Sequence, residues 1–127
     1  MVEPLTREQS RALREQLQGR YDTLIADVRQ ELLQADNERY AELAGLVHDP
    51  GDESVADLIS DLDLADIDRH IGELRDLEAA FDRVRRGEYG ICVDCGDDIG
   101  FDRLHAYPTA KRCLPCQQRH ERSYSPG

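Results

Sequence analysis

The sequence predicts a mainly α protein: a long antiparallel two-helix coiled-coil hairpin, then a small cysteine-rich lobe ending in a short helix. Three observations predict it. Apolar residues recur at steps of three, four or seven through residues 6–86, on a background of Arg, Glu, Gln and Asp. A Pro-Gly turn interrupts them once, at Pro50-Gly51. All four cysteines and a run of glycines fall after residue 86. The predicted organisation is therefore 1–86, an N-terminal helix and hairpin with its tip at 48–54, and 87–127, the cysteine lobe.

The first helix opens at Thr6, which with Gln9 forms a capping-box pattern. Leu13, Leu17, Tyr21, Leu24, Val28, Leu32, Ala35, Leu43 and Leu46 make a narrow stripe that carries the helix to about Val47. Gly19 interrupts it at a cost of about 1 kcal/mol relative to Ala. Pro50 disfavours helical geometry at Asp49 and ends the element. Ser54, with Asp57 three residues on, caps a second helix. That helix carries Val55, Leu58, Leu62, Ala65, Ile67, Ile71, Leu74, Leu77, Phe81 and Val84. It ends near Gly87, after Arg83, Arg85 and Arg86, whose charges suit a helix C-terminus. Two helices this long, joined by a short turn, form an antiparallel pair roughly 50–60 Å in length with residues 48–54 at the far end.

The cysteines are spaced Cys92-x2-Cys95 and Cys113-x2-Cys116, with 17 residues between the pairs. Two thiolates three residues apart on a tight turn occupy adjacent corners of a tetrahedron, and two such pairs complete a Zn²⁺ site. Gly96 relieves crowding after the first pair, and the second pair opens the terminal helix over 113–122. Two disulfides would suit a secreted chain, and a redox Cys-x-x-Cys a βαβ context; neither setting is present. His105 and His120 are expected at the surface. The expected cofactor is one structural zinc ion. A closed four-sulfur shell leaves no position for water, so no enzymatic role is expected.

With 34% charged residues, 6% aromatic and a net charge of -11, the chain reads as a solvated helical protein. No apolar run could span a membrane, and the N-terminus lacks a secretory pattern, so a cytoplasmic protein is expected. Residues 1–100 hold 11 Arg and 25 acidic residues, whereas 101–127 hold 5 basic and 2 acidic. That balance disfavours a phosphate-backbone surface and sequence-specific DNA binding. Between residues 48 and 68, eight acids from Asp49 to Asp68 lack any Lys or Arg among them. Asp52, Glu53 and Asp57 suit a helix N-terminus, but Asp49 follows a helix end, where negative charge is disfavoured. Asp49 is thus a functional candidate, although Asp before Pro-Gly is also ordinary turn chemistry.

The motifs Tyr89-Gly90-Ile91-Cys92-Val93-Asp94-Cys95-Gly96, Ile99-Gly100-Phe101-Asp102-Arg103-Leu104, Ala106-Tyr107-Pro108-Thr109-Ala110 and Cys113-Leu114-Pro115-Cys116 resemble the DksA/TraR family of bacterial transcription regulators. The resemblance implies a four-cysteine zinc lobe with a protruding coiled coil, and RNA polymerase as a directly bound partner. It further implies that tip acids enter the polymerase secondary channel and alter promoter-complex stability. The family tip pattern Asp-x-x-Asp-x-Ala falls on Asp49, Asp52 and Ser54, with Ser54 in place of Ala. Positions that supply cations to a shared ppGpp site in the family are Asp76, Tyr107 and Gln117 here, so little ppGpp dependence is expected. A monomer is expected, since a two-helix seam can be satisfied within one chain. The alternative is a zinc-stabilised adaptor that binds some other protein and does not act on polymerase.

Overall fold

A computed structural model describes residues 2–34, 38–47, 54–60 and 65–124. It is mainly helical, with α1 (Arg7–Gln34), α2 (Glu38–Leu46), α3 (Val55–Ile59), α4 (Ala65–Arg85), α5 (Phe101–Ala106) and α6 (Leu114–Tyr124). The chain divides into two compact units, Met1–Leu17 with Ala80–Gly127, and Gln18–Ala79.

The helix ends follow the local chemistry. The Gln9 N–H donates to Thr6 Oγ1 at 3.1 Å, and Gln9 Oε1 accepts from the Thr6 N–H at 3.0 Å, the reciprocal capping box. Where α4 ends, the Glu88 N–H reaches the Arg83 carbonyl at 2.8 Å and the Gly87 N–H reaches Val84 at 3.1 Å. This double closure needs a left-handed residue, and Gly87 supplies it with φ +72°.

Within the 18–79 unit, Tyr21, Leu24, Val28 and Leu32 of α1 are fully buried, as are Ile67 and Leu74 of α4. Polar pairs join the same two helices: Arg20 Nη2 donates to Glu73 Oε2 at 2.7 Å, and His70 Nε2 lies 3.0 Å from Glu31 Oε1. The Arg20 guanidinium holds the Glu73 carboxyl below its ordinary range, chiefly through that hydrogen bond.

The expected first helix, unbroken to Val47, is instead two helices. Arg29 of α1 donates to the Val47 carbonyl and, at 3.4 Å, to that of Ala44. On one continuous helix Arg29 and Val47 would be about 27 Å apart, far beyond an arginine side chain. So α2 returns alongside α1, and the Arg29 cation satisfies carbonyls at its C-terminal end. The buried face shifts accordingly: Ala44 and Val47 are inside, while Leu46, expected on the stripe, is 52% exposed.

A similar change applies after Ser54. Its Oγ accepts from the Asp57 N–H at 3.1 Å, capping α3 as expected, and its hydroxyl donates to Glu78 Oε1 at 3.0 Å. Glu78 lies well inside α4, and Arg75 of the same helix pairs with Asp57 at 3.1 Å. Helix α3 therefore packs alongside α4, burying Val55, Ala56 and Ile59. Ser54→Ala removes the cap, and a loss of about 1 kcal/mol is expected, read as a lower denaturant midpoint at unchanged slope.

Candidate metal centre

The second unit, Met1–Leu17 with Ala80–Gly127, is built around the cysteines. Two loops bring them together. In the first, the Cys92 N–H donates to Asp97 O at 2.8 Å and the Gly96 N–H to Cys92 O at 3.0 Å, closing a turn over Cys92–Cys95. Gly96 has φ +80°, a conformation that L side chains rarely adopt, which is why a glycine follows the second sulfur. In the second, Cys113 precedes α6 and Cys116 lies in its first turn, with the Gln117 N–H on Cys113 O at 2.9 Å. The Val93 N–H to Lys111 O bond, 2.9 Å, ties one loop to the other.

All four predicted ligands converge. The Sγ atoms of Cys92, Cys95, Cys113 and Cys116 lie within 4.8 Å of one another, and Cys95 and Cys113 are 3.7 Å apart. A tetrahedron with Zn–S near 2.3 Å has edges of about 3.8 Å, whereas a disulfide needs about 2.05 Å. The geometry fits a single zinc ion, and all four cysteines are free.

The electrostatics fit as well. Burial works against ionisation of Cys92, but backbone N–H groups of Cys95, Cys113 and Asp94 outweigh it and bring the thiol down to about 6. At Cys95 the Asp97 N–H favours the thiolate, yet burial and the three neighbouring sulfurs push it up to about 12. Four sulfurs this close cannot all be thiolates without a cation among them, and a divalent ion removes that conflict. Arg119 adds fixed positive charge, with Nη2 3.0 Å from Cys116 Sγ. Arg112 joins Asp94 at 2.8 Å, and Arg103 donates to Arg112 O at 3.0 Å, bracing the turn before Cys113.

Spacing alone did not reveal what covers the site. Leu13 of α1 is fully buried in one cluster with Cys92, Ile99, Leu104, Ala110 and Cys116. Leu5 and Val2 press on Gly90 and Gly100, which have φ +90° and +100°; a Cβ at Gly90 would come 2.9 Å from Leu5 Cδ1. Helix α5 was also missed, because its six residues are too short for periodicity to register. Its His105 is exposed and stacks on Phe101 with ring centroids 5.4 Å apart, away from any ligand role.

Of the other candidates, Ser54 belongs to the 18–79 unit, and Asp49 and Asp52 lie outside the described residues. No described helix is long and apolar enough to cross a membrane.

Comparison with known proteins agrees with the metal chemistry. The family model for the prokaryotic dksA/traR C4-type zinc finger matches residues 87–122. The "RNA polymerase-binding transcription factor DksA" of Caulobacter vibrioides (strain NA1000 / CB15N) is 36% identical over 90 residues, 71% of this chain and 58% of that protein. Its namesake in Escherichia coli (strain K12) is 33% identical over 69 residues, 54% of this chain and 46% of that protein. The chain thus spans about half the length of these relatives. Among solved structures, transcription factor DksA2 from Pseudomonas aeruginosa is 28% identical, with 87% of this chain and 88% of that one covered at a TM-score of 0.45. The four converging sulfurs and the match over 87–122 identify that segment as a zinc finger of the prokaryotic dksA/traR C4-type family.

Proposed function

We propose that this protein is a transcription regulator that binds RNA polymerase directly and acts through the acid-rich segment ending at Ser54. What supports this reading is the similarity to relatives named for polymerase binding, together with this chain's own four-sulfur centre in the segment that matches the zinc-finger family. In this reading residues 1–86 are the effector arm and 87–127 the zinc lobe. Asp49 and Asp52 enter the secondary channel and change promoter-complex stability. Ser54 serves chiefly as a helix cap, consistent with its bonds to Asp57 and Glu78. The protein works as a cytoplasmic monomer with no catalytic activity and no sequence-specific DNA contact. It depends little on ppGpp, because Asp76, Tyr107 and Gln117 offer no cation to a polyphosphate.

The test is co-purification with polymerase, followed by in vitro transcription with and without ppGpp. Asp49→Asn with Asp52→Asn is expected to keep polymerase affinity and lose most of the effect on promoter-complex lifetime. A wild-type effect from that double variant removes the acid-segment mechanism.

One observation favours the adaptor reading instead. With α2 alongside α1 and α3 alongside α4, Ser54 is engaged with the middle of α4 and does not cap the end of a simple two-helix pair. A pull-down dominated by a partner other than polymerase would decide for the adaptor.

A further inference from the structure

We propose that a cavity at the start of α1 docks an acidic peptide segment of a partner protein, one in which two carboxylates flank an apolar side chain. The cavity, about 390 Å³, lies between the first turns of α1 and the chain leaving α4, lined by Leu5, Arg7, Ser10, Arg14, Val84 and Tyr89. It is separate from the zinc ligands, and the proposal does not depend on the polymerase reading.

Arg7, Ser10 and Arg14 are spaced i, i+3, i+7 and so share one face of α1. The two arginine positions are about 10 Å apart along the axis. Neither has an ion-pair or hydrogen-bond partner among the described residues. Arg20, Arg75, Arg86 and Arg112, by contrast, are each paired with a carboxylate. Arg7 stands in the first turn of α1, where the helix dipole disfavours a cation, and Glu8 beside it is the acid that suits that end. A cationic group left without an internal partner is available for an external one.

Between the arginines the surface is apolar. Leu5, Val84 and Tyr89 are each half-buried. The Tyr89 hydroxyl donates to Pro108 O at 2.7 Å, and burial pushes it up to about 12, so it contributes a neutral ring. One phosphate would use the cations and leave this floor uncovered. A segment with an apolar side chain between carboxylates uses both, since each Arg can hold a carboxylate in a two-point bond. The wider charge pattern permits such a partner. The unit containing the cavity has 11 Arg and Lys against 10 Asp and Glu, whereas the 18–79 unit has 5 against 17. The strong negative charge of the chain thus belongs to the other unit.

Fluorescence anisotropy on the full zinc-loaded chain tests this, using a labelled peptide of alternating Glu and Leu. Saturable binding is expected, weakening steeply with salt. Arg7→Gln with Arg14→Gln is expected to weaken it at least tenfold while leaving zinc content and circular dichroism unchanged, since both side chains are exposed. Replacing the peptide's Glu by Gln, or its Leu by Ser, should each weaken binding comparably. No saturation up to about 1 mM peptide, a dissociation constant that marks only weak association, overturns the proposal. So does wild-type affinity in the double variant, or equal binding of the Leu-to-Ser peptide. Full displacement of the peptide by low-millimolar inorganic phosphate would show a phosphate site in its place.

Discussion

Stripping the zinc-loaded protein with a strong chelator should unfold the lobe over residues 87–122 while the 18–79 unit keeps its helices. The expected stoichiometry is one ion per chain, set by the single four-sulfur cluster among the described residues. Apart from the cysteines, the lobe's cluster among the described residues buries Leu13, Ile99, Leu104 and Ala110, with Leu5, Tyr89 and Phe101 partly buried against it. So small a set of side chains cannot offset the ordering entropy of about 40 residues. Structural zinc contributes an apparent ~10–16 kcal/mol in small metal-bound domains, which exceeds the whole stability of most single domains. Cys116→Ser should act like chelation, because Cys116 is both a ligand and a buried member of that cluster. Two-dimensional amide spectra check both treatments. Dispersion should collapse for residues 87–122, while the methyls of Leu24 and Leu74, fully buried in the other unit, keep their shifts. Retained dispersion in metal-free protein would mean that the apolar contacts suffice.

Adjacent substitutions in α2 and just after it should differ sharply. Val47→Asp is expected to destabilise the 18–79 unit by at least ~3 kcal/mol, and Leu46→Asp by less than ~0.5 kcal/mol. Val47 is fully buried, and its carbonyl accepts from Arg29. Leu46 is 52% exposed and is free to carry a charge into solvent. A helix continuing the stripe of α1 would give the opposite order, with Leu46 inside. Urea titrations of the two variants, compared at equal slope, separate these arrangements.

That contrast marks where the sequence could and could not be read. The four sulfurs of the zinc site were legible, because four cysteines at fixed spacing admit few alternatives and each position has a defined chemical task. The α1 stripe from Leu13 to Leu32 was legible from its helical period, and the Thr6 and Ser54 caps and the stop at Gly87 because local hydrogen bonding dictates them. The separation of α1 from α2 was not. Leu43 and Leu46 continue a plausible period, and the residue that decides the matter, Arg29, reads as one more surface charge until its carbonyl partners are seen. The places of Arg119 and Leu13 at the zinc site were missed on the same grounds. Arg119 lies three residues after Cys116, which looks like ordinary helix decoration. Leu13 lies 79 residues before the first cysteine, and no local pattern links them.

The burial of Leu13 under the lobe has a consequence for how the molecule assembles. The first turns of α1 leave the ribosome early, yet the surface they must cover is complete only when Cys116 has been synthesised. This loop closure spans about 100 residues, a contact of high sequence separation. A finger excised from residue 87 onward would therefore coordinate its ion with one flank bare, and would be prone to stick to other chains until something apolar took the place of Leu13.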